Sequence, residues 1–280
     1  MGVYPLFSFY IIIMIIYDEN MIRQFFEAIF PHEWNSNEVA FVSLAARKKY
    51  LKDKNINLGH RPEMLDKEIV KTFDSDYYVS RIRRFETEGY LDESNIPIPD
   101  EAKAVYVNIH LSDVTRSWIK TKDEMNKVEL ESLSHLITHQ PDISHVMRMM
   151  KNLPNIWFSQ IQNTYSRKFW IDIDVDIEDP NQVWTDKKTL REVLAENILS
   201  QSLIRELKNT IIIHTRGGFH ILINCRENQF DKRINPETIR ESIEYQVVDF
   251  AKEVVINKNG MVPCPGTYQG GYSVWMMNIN

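Results

Sequence analysis

The segment FWIDIDVDI, residues 169–177, alternates apolar residues with aspartate along its length. Side chains on a β-strand point to opposite faces in turn, so residues two apart share a face. The pattern predicts a strand with one apolar face in the core and with Asp172, Asp174 and Asp176 side by side on the other. Such close carboxylates raise one another's pKa, and their usual counter-ion is a hard divalent cation with oxygen ligands. A solvated acidic sheet face is the alternative interpretation.

The segments that follow predict the topology around this strand. They indicate a helix over 185–208, strands over 210–215 and 219–225, a helix over 236–252 and a last strand over 253–257. The order is β-α-β-β-α-β, the split ferredoxin-like unit, in which the first and third strands are central neighbours and the fourth flanks the first. Strand alternation then puts His220 and Glu253 on the open face with the aspartates.

The upstream half predicts a second module of mixed structure. We expect a helix over 21–31, strands over 37–51, 104–111 and 155–161, and helices in the 59–86 and 121–137 regions. The predicted fold class is α/β, of the α+β kind. We divide the chain into an apolar segment of uncertain role (1–20), an N-terminal α/β module (21–150) and a β-α-β-β-α-β module (151–280), the last two forming one combined catalytic domain.

Composition restricts the class of protein. The 280 residues carry a net charge of −6, which argues against a protein that coats nucleic acid. Two cysteines, Cys225 and Cys264, give neither a disulfide framework nor a zinc cluster, so we expect a soluble intracellular protein, in the cytoplasm or in a host nucleus if it is viral. The apolar run 3–17 is shorter than the roughly 20 residues of a membrane helix. We expect no stable membrane association, although a membrane anchor stays open as an alternative.

The polar residues of the predicted open face suit phosphoryl transfer. Two carboxylates on one strand can bridge two metal ions about 3.5–4 Å apart, as polymerases do. The turn Thr215-Arg216-Gly217-Gly218 precedes His220, and backbone N–H groups with a guanidinium can form an anion cradle there. Arg47 and Lys48 are candidates for steering a template or a triphosphate, with a solvated strand end as the alternative.

Three stretches resemble the motifs of the archaeo-eukaryotic primase superfamily. WIDIDVD resembles its first motif, a hydrophobic strand with Asp-x-Asp, and HTRGGFHILI resembles its second, in which glycines precede a histidine on a strand. VVINKNGMVPCPGTYQGG is similar, more loosely, to the segment around the third motif. The resemblance covers roughly residues 150–270 and implies a primase catalytic core with an RRM-like unit packed on the N-terminal module.

The resemblance also implies roles for single residues. Asp172 and Asp174 would ligate two Mg²⁺ or Mn²⁺ ions, and His220 would contact the triphosphate of the incoming nucleotide. The family's third motif has an acid at the start of the last strand, where this sequence has Glu253 as the nearest acid and Asp249 as an alternative. The zinc ligands that many members carry between the first two motifs are replaced by a plain helix, so no zinc is expected.

The implied activity is template-dependent synthesis of short RNA or DNA primers on single-stranded DNA, by a minimal enzyme of viral or plasmid type. The implied partners are the template, nucleoside triphosphates and, as in many members, a large primase subunit or a replicative helicase. The alternatives are a catalytically weak scaffold subunit, an RNA-binding module of the same topology and an Asp-x-Asp nucleotide-sugar transferase. We further expect that replacing Asp172 and Asp174 with alanine abolishes synthesis and leaves folding intact, because like charges are removed.

Overall fold

A computed structural model describes residues 16–47, 64–92, 94–124, 155–185, 187–231 and 234–279. Within these ranges the chain has seven α-helices and antiparallel sheets, so it is a mixed protein of the predicted α+β class. Lys48 and the apolar stretch 1–15 lie outside the described residues. The helices are α1 (Glu19–Ile29), α2 (Ser75–Thr87), α3 (Val114–Glu124), α4 (Asn155–Asn163), α5 (Leu190–Ser200), α6 (Ser202–Arg205) and α7 (Pro236–Val247).

The strands fall into two large sheets and one short hairpin. The first half of the chain contributes β1 (Glu38–Ala46), β2 (Met64–Val70), β3 (Lys103–Asn108) and β4 (Leu111–Asp113). The middle contributes β5 (Tyr165–Arg167), β6 (Trp170–Ile177), β7 (Val183–Thr185), β8 (Lys188–Thr189), β9 (Thr210–His214) and β10 (Gly218–Asn224). The last strands are β11 (Ala251–Ile256), β12 (Met261–Pro263), β13 (Tyr268–Gln269), β14 (Tyr272–Ser273) and β15 (Trp275–Ile279).

The acidic strand β6 is central in a five-stranded sheet of order β11-β6-β10-β9-β15. With α5 between β6 and β9 and α7 between β10 and β11, the predicted β-α-β-β-α-β order and its neighbour relationships are observed. The strand β15 adds a fifth member beside β9. The other large sheet has eight strands along the path β14-β13-β3-β1-β4-β5, with β12 on β3 and β2 on β1.

The two faces of β6 have different environments, as the alternation predicts. Ile173, Val175 and Ile177 are buried in a hydrophobic cluster with residues of α5 and α7. On the opposite face, Trp170 is buried in a second cluster that includes residues of α1, α2, β1 and β3. That second cluster joins the five-stranded sheet to the N-terminal half of the chain, and it covers only one end of the face that carries the aspartates.

Two predicted elements were wrong, and both errors have a physical reason. Residues 155–161 form part of helix α4, not a strand, because Trp157, Phe158 and Ile161 pack on α3 and β1 with helical spacing. Residues 64–70, predicted as part of a helix, form β2, which pairs antiparallel with β1. Residues 155–161 are a short apolar run, and residues 64–70 carry three charged residues at their centre; neither shows a clear periodicity, so long-range packing decides the structure.

Residues of the predicted 151–280 module also complete the eight-stranded sheet. Strands β12 and β13, at 261–263 and 268–269, pair with β3.

Across the ranges that the structure describes, no helix is both long and apolar enough to cross a membrane.

The buried histidine of β9 makes folding stability sensitive to acid. His214 stacks on Trp275 with 3.7 Å between ring centroids, and neither ring nitrogen has a hydrogen-bond partner among the described residues. Burial, together with the charge of Arg191, lowers the pKa of His214 to about 4. Since the unfolded chain has a histidine pKa of about 6.5, the neutral ring's contribution is complete above that pH and is lost as the pH falls towards 4.

We therefore expect His214→Phe to reduce the acid sensitivity of the fold. Between about pH 7.5 and about pH 4.5, the free energy of unfolding of the wild type should fall by about 2–3 kcal/mol more than that of the variant. Urea unfolding followed by circular dichroism at the two pH values measures the difference. Equal pH dependence in both proteins would contradict the assignment.

Candidate active site

A cleft of about 420 Å³ lies where the open face of the five-stranded sheet meets the N-terminal sheet. Asp174, Asp176 and His220 line one wall. Ser43 and Tyr106, from β1 and β3, line the opposite wall. The end of the acidic face that Trp170 does not cover therefore faces the N-terminal sheet across this cleft, as in a site that binds a small molecule.

Strand register brings His220 to the acidic residues. In the antiparallel pair of β10 with β6, His220 lies directly opposite Asp174. Directly opposed residues project from the same face, so the imidazole and the carboxylate enter the cleft together. The Nε2 atom of His220 lies 3.6 Å from Oδ1 of Asp174. The sequence prediction that these two residues share a face is confirmed.

Asp172 has a different environment from Asp174, although both were predicted as metal ligands. Its side chain is buried, and its Oδ1 accepts a hydrogen bond from Nδ1 of His220 at 3.0 Å. Its Oδ2 accepts a second hydrogen bond from Nδ2 of Asn257 at 2.8 Å. The Asn257 backbone N–H also donates to the carbonyl oxygen of Asp172. Asp172 thus lies behind the cleft wall and fixes the ring of His220.

Charge and burial act in opposite directions on the His220 ring. Burial alone would lower the pKa of His220, but the carboxylates of Asp172 and Asp174 raise it to about 9. The ring is therefore an imidazolium at neutral pH, bridging two carboxylates. The pKa of Asp174 is raised above its usual value. Burial is the largest cause and the neighbouring carboxylates add to it, while the imidazolium of His220 opposes both.

Asp176 and Glu253 form the outer, exposed end of the acidic face. A β-bulge at Lys252 places Glu253 directly opposite Asp176 in the pair of β11 with β6. Regular pairing would have put the ammonium group of Lys252 there, so the bulge selects a carboxylate for this position. The alternative third ligand, Asp249, is exposed in the turn between α7 and β11 and does not belong to the strand.

The glycine turn before His220 is required for close packing. The Thr215 N–H donates to the carbonyl oxygen of Gly218 and closes the turn. A Cβ atom on Gly218 would lie 1.9 Å from the carbonyl oxygen of Val175, and one on Gly217 would lie 2.7 Å from Oδ1 of Asp176. Both glycines therefore let the turn approach β6. Thr215 and Gly217 line the cleft.

The two arginines predicted to bind nucleotide have protein contacts of their own. The Arg216 guanidinium donates to the carbonyl oxygen of Gly270 at 2.6 Å, and its backbone N–H donates to Oε1 of Gln269 at 2.8 Å. One N–H of the predicted anion cradle is therefore already bonded. Arg47 lines the cleft with its guanidinium 5.6 Å from the ring centre of Tyr106.

Sequence reasoning missed the roles of three residues around the cleft. Asn257 holds Asp172, and Gln269 joins the Arg216 turn to the hydroxyl of Tyr106, which accepts from its Nε2 at 3.4 Å. Asn257 is four residues after Glu253 on the predicted strand 253–257, so alternation puts it on the same open face. The contacts of Gln269 and Tyr106 join segments far apart in sequence, and no local pattern indicates them.

The carboxylates of the cleft suit a hard divalent cation. Mg²⁺ is commonly bound by one or two protein carboxylates and completes its shell with water and substrate phosphates. Asp174 and Asp176 offer oxygens to the cleft, and Glu253 lies opposite Asp176. Among the described residues, no group of three or more His, Cys, Asp or Glu side chains has the arrangement of a metal site. This donor set therefore fits a cation bound together with phosphates better than one bound by protein alone.

No protein-family model, curated protein or solved structure matches this chain. Its function is therefore inferred from its own residues.

Proposed function

We propose that this chain is a template-dependent primase-polymerase of the archaeo-eukaryotic type, which joins nucleoside triphosphates on single-stranded DNA. One observation carries the proposal: carboxylates on a central strand and a histidine on its neighbour meet in a cleft between two sheets. Oxygen ligands beside a cationic donor are the elements that nucleotidyl transfer requires.

The proposed role of each side chain follows from its position in the cleft. Asp174 and Asp176, which face the cleft, and Glu253 beside them are the proposed oxygen ligands. Two bound Mg²⁺ or Mn²⁺ ions would activate the attacking 3′-hydroxyl and neutralise charge on the triphosphate. The Nε2–H of the His220 imidazolium, which lies 3.6 Å from Oδ1 of Asp174 and so beyond hydrogen-bond range of it, donates to the phosphates. Asp172 orients the His220 ring and supplies its counter-charge, which revises the ligand role that the resemblance implies.

A synthesis assay tests the proposal. We expect the purified chain to form product on a single-stranded DNA template when it is given Mg²⁺ or Mn²⁺ and nucleoside triphosphates. Ribonucleotides and deoxyribonucleotides are supplied separately, with and without a primer, so that the assay also identifies the sugar preference and the ability to start chains. No incorporation under any of these conditions, from protein shown to be folded, would contradict the proposal.

The hydrogen bonding of Asp172 favours a second candidate function. Its carboxylate already accepts hydrogen bonds from His220 and Asn257, as expected if the site holds the fold together without catalysing a reaction. The second candidate is thus a primase-like scaffold subunit. Such a protein would bind a large subunit or a helicase, and Asp174→Asn would leave that binding and any residual synthesis unchanged.

A further inference from the structure

The turn between β11 and β12, residues 257–260, joins the two large sheets beside the cleft. The strand before it pairs with β6 in the five-stranded sheet, and the strand after it pairs with β3 in the eight-stranded sheet. Asn257 and Asn259 of this turn both line the cleft. The chain therefore passes from the sheet that carries His220 to the sheet that forms the opposite wall within four residues.

Asn257 uses every polar group of its side chain within this turn. Its Nδ2 donates to Oδ2 of Asp172 at 2.8 Å and to the carbonyl oxygen of Met261 at 3.3 Å. Its Oδ1 accepts from the backbone N–H of Asn259 at 3.0 Å. Because two acceptors face Nδ2 and a donor faces Oδ1, the amide has a single favourable orientation. The Asp172 carboxylate is thus held on one oxygen by a donor that is itself fixed.

The other end of the turn is anchored to the N-terminal sheet. The hydroxyl of Tyr165, on β5, donates to the carbonyl oxygen of Asn259, and the backbone N–H of Ile109 donates to that of Gly260 at 2.8 Å. The Tyr165 ring lies edge-on to the buried ring of His110, with 4.9 Å between ring centroids. Burial raises the pKa of Tyr165 to about 12, so the hydroxyl keeps its proton at neutral pH.

These contacts form one continuous hydrogen-bonded path between the two sheets. A side chain holds its geometry when the groups that bond it are themselves fixed by packing and by further hydrogen bonds. The imidazolium that bonds the second carboxylate oxygen of Asp172 is therefore held from the opposite sheet as well. In order, the path runs through Tyr165, Asn259, Asn257, Asp172 and His220.

We propose that Asn257 is a positioning residue of the reaction, which acts on His220 through Asp172. Tyr165 is its anchor on the opposite sheet. The inference rests on the proposed function. Attraction of the triphosphate in the ground state needs the charge of the imidazolium, whatever the angle of its ring. Stabilising the transition state needs the Nε2–H directed at the oxygen where charge develops, and that direction is set by the path. Loss of Asn257 should therefore lower kcat more than it raises KM.

Asn257→Leu and Tyr165→Phe test the path near its two ends without a change of charge. Under the proposed function we expect Asn257→Leu to lower kcat for nucleotide incorporation about thirtyfold and Tyr165→Phe to lower it about fivefold. KM for the nucleoside triphosphate should change less than about threefold. Asn197→Leu on α5 and Tyr245→Phe on α7 make the same changes at exposed positions, and these matched controls should leave both constants unchanged.

A spectroscopic measurement separates positioning from a general loss of stability. The Nδ1–H of His220 is buried and donates to Asp172, so it should exchange slowly with water and give its own downfield signal in an ¹⁵N–¹H spectrum. We expect Asn257→Leu to abolish this signal in the folded protein and Tyr165→Phe to shift it, whereas both controls keep it in place. If Asn257→Leu does not fold, Tyr165→Phe still provides the signal and the kinetic constants.

Two results would overturn the proposal. One is a lower melting temperature with the wild-type His220 signal and the wild-type kcat, which would leave Asn257 a structural role only. The other is a rise in KM as large as the fall in kcat. A wild-type chain that makes no product contradicts the proposed function instead, and the His220 signal then still decides whether Asn257 positions the ring.

Discussion

Replacing Asp174 with asparagine is expected, under the proposed function, to lower the rate of nucleotide incorporation about a thousandfold, because a proposed cation ligand worth several kcal/mol is lost. The fold should not be weakened. Burial raises the pKa of Asp174 above its usual value, which means that the folded state disfavours its charged form. The neutral, nearly isosteric amide removes that cost, although it also removes one of the two partners of His220.

Two measurements check this expectation. Incorporation on a primed template gives the rate, and Mn²⁺ binding followed by electron paramagnetic resonance gives a readout that does not depend on turnover. Asp123→Asn, an exposed aspartate on α3, is the matched control and should change neither. A rate for Asp174→Asn within a few-fold of the wild type would show that Asp174 is not a ligand of the catalytic cation.

The features that sequence predicted best are those that depend on local alternation. Asp174 and His220 share a face because side chains alternate along each strand and these two residues lie opposite each other. The pairing of their strands follows from the β-α-β-β-α-β order. The burial of Asp172 depends on something else. It lies next to Trp170, at the end of the sheet that residues of α1 and β3 cover. No pattern within β6 distinguishes this covered end from the open one.

The strand that carries Glu253 also has a feature that the sequence pattern does not show. Alternation placed Glu253 on the open face, and the structure agrees from that residue onwards, whereas the bulge at Lys252 shifts the residues before it. A bulge shifts the parity of every residue on one side of it, and it is set by the packing of two strands rather than by a residue type. The turn at Arg216 and Gly217 was likewise predicted correctly, whereas Gly218 already begins β10. Both positions require glycine because β6 approaches closely.

Replacing Asp172 with alanine is expected to destabilise the fold by about 3–5 kcal/mol at neutral pH, because it leaves the buried imidazolium of His220 without its nearest counter-charge. The Nδ2 group of Asn257 loses its 2.8 Å partner as well. This expectation reverses the one from alternation alone, in which removing like charges leaves folding intact. Repulsion among the aspartates is outweighed because the His220 cation lies between Asp172 and Asp174.

Urea unfolding of Asp172→Ala, of His220→Gln and of the double variant measures this coupling. The double variant should be less destabilised than the sum of the single variants, because removing the imidazole also removes the unpaired charge. The pH dependence has a defined sign. His220 has a pKa of about 9 in the fold against about 6.5 when unfolded, so the ion pair's contribution is complete below that lower pH and is lost as the pH rises through 9. An Asp172→Ala variant that unfolds like the wild type at neutral pH would contradict the pairing, and Asp172 would then be available as the metal ligand that the resemblance implies.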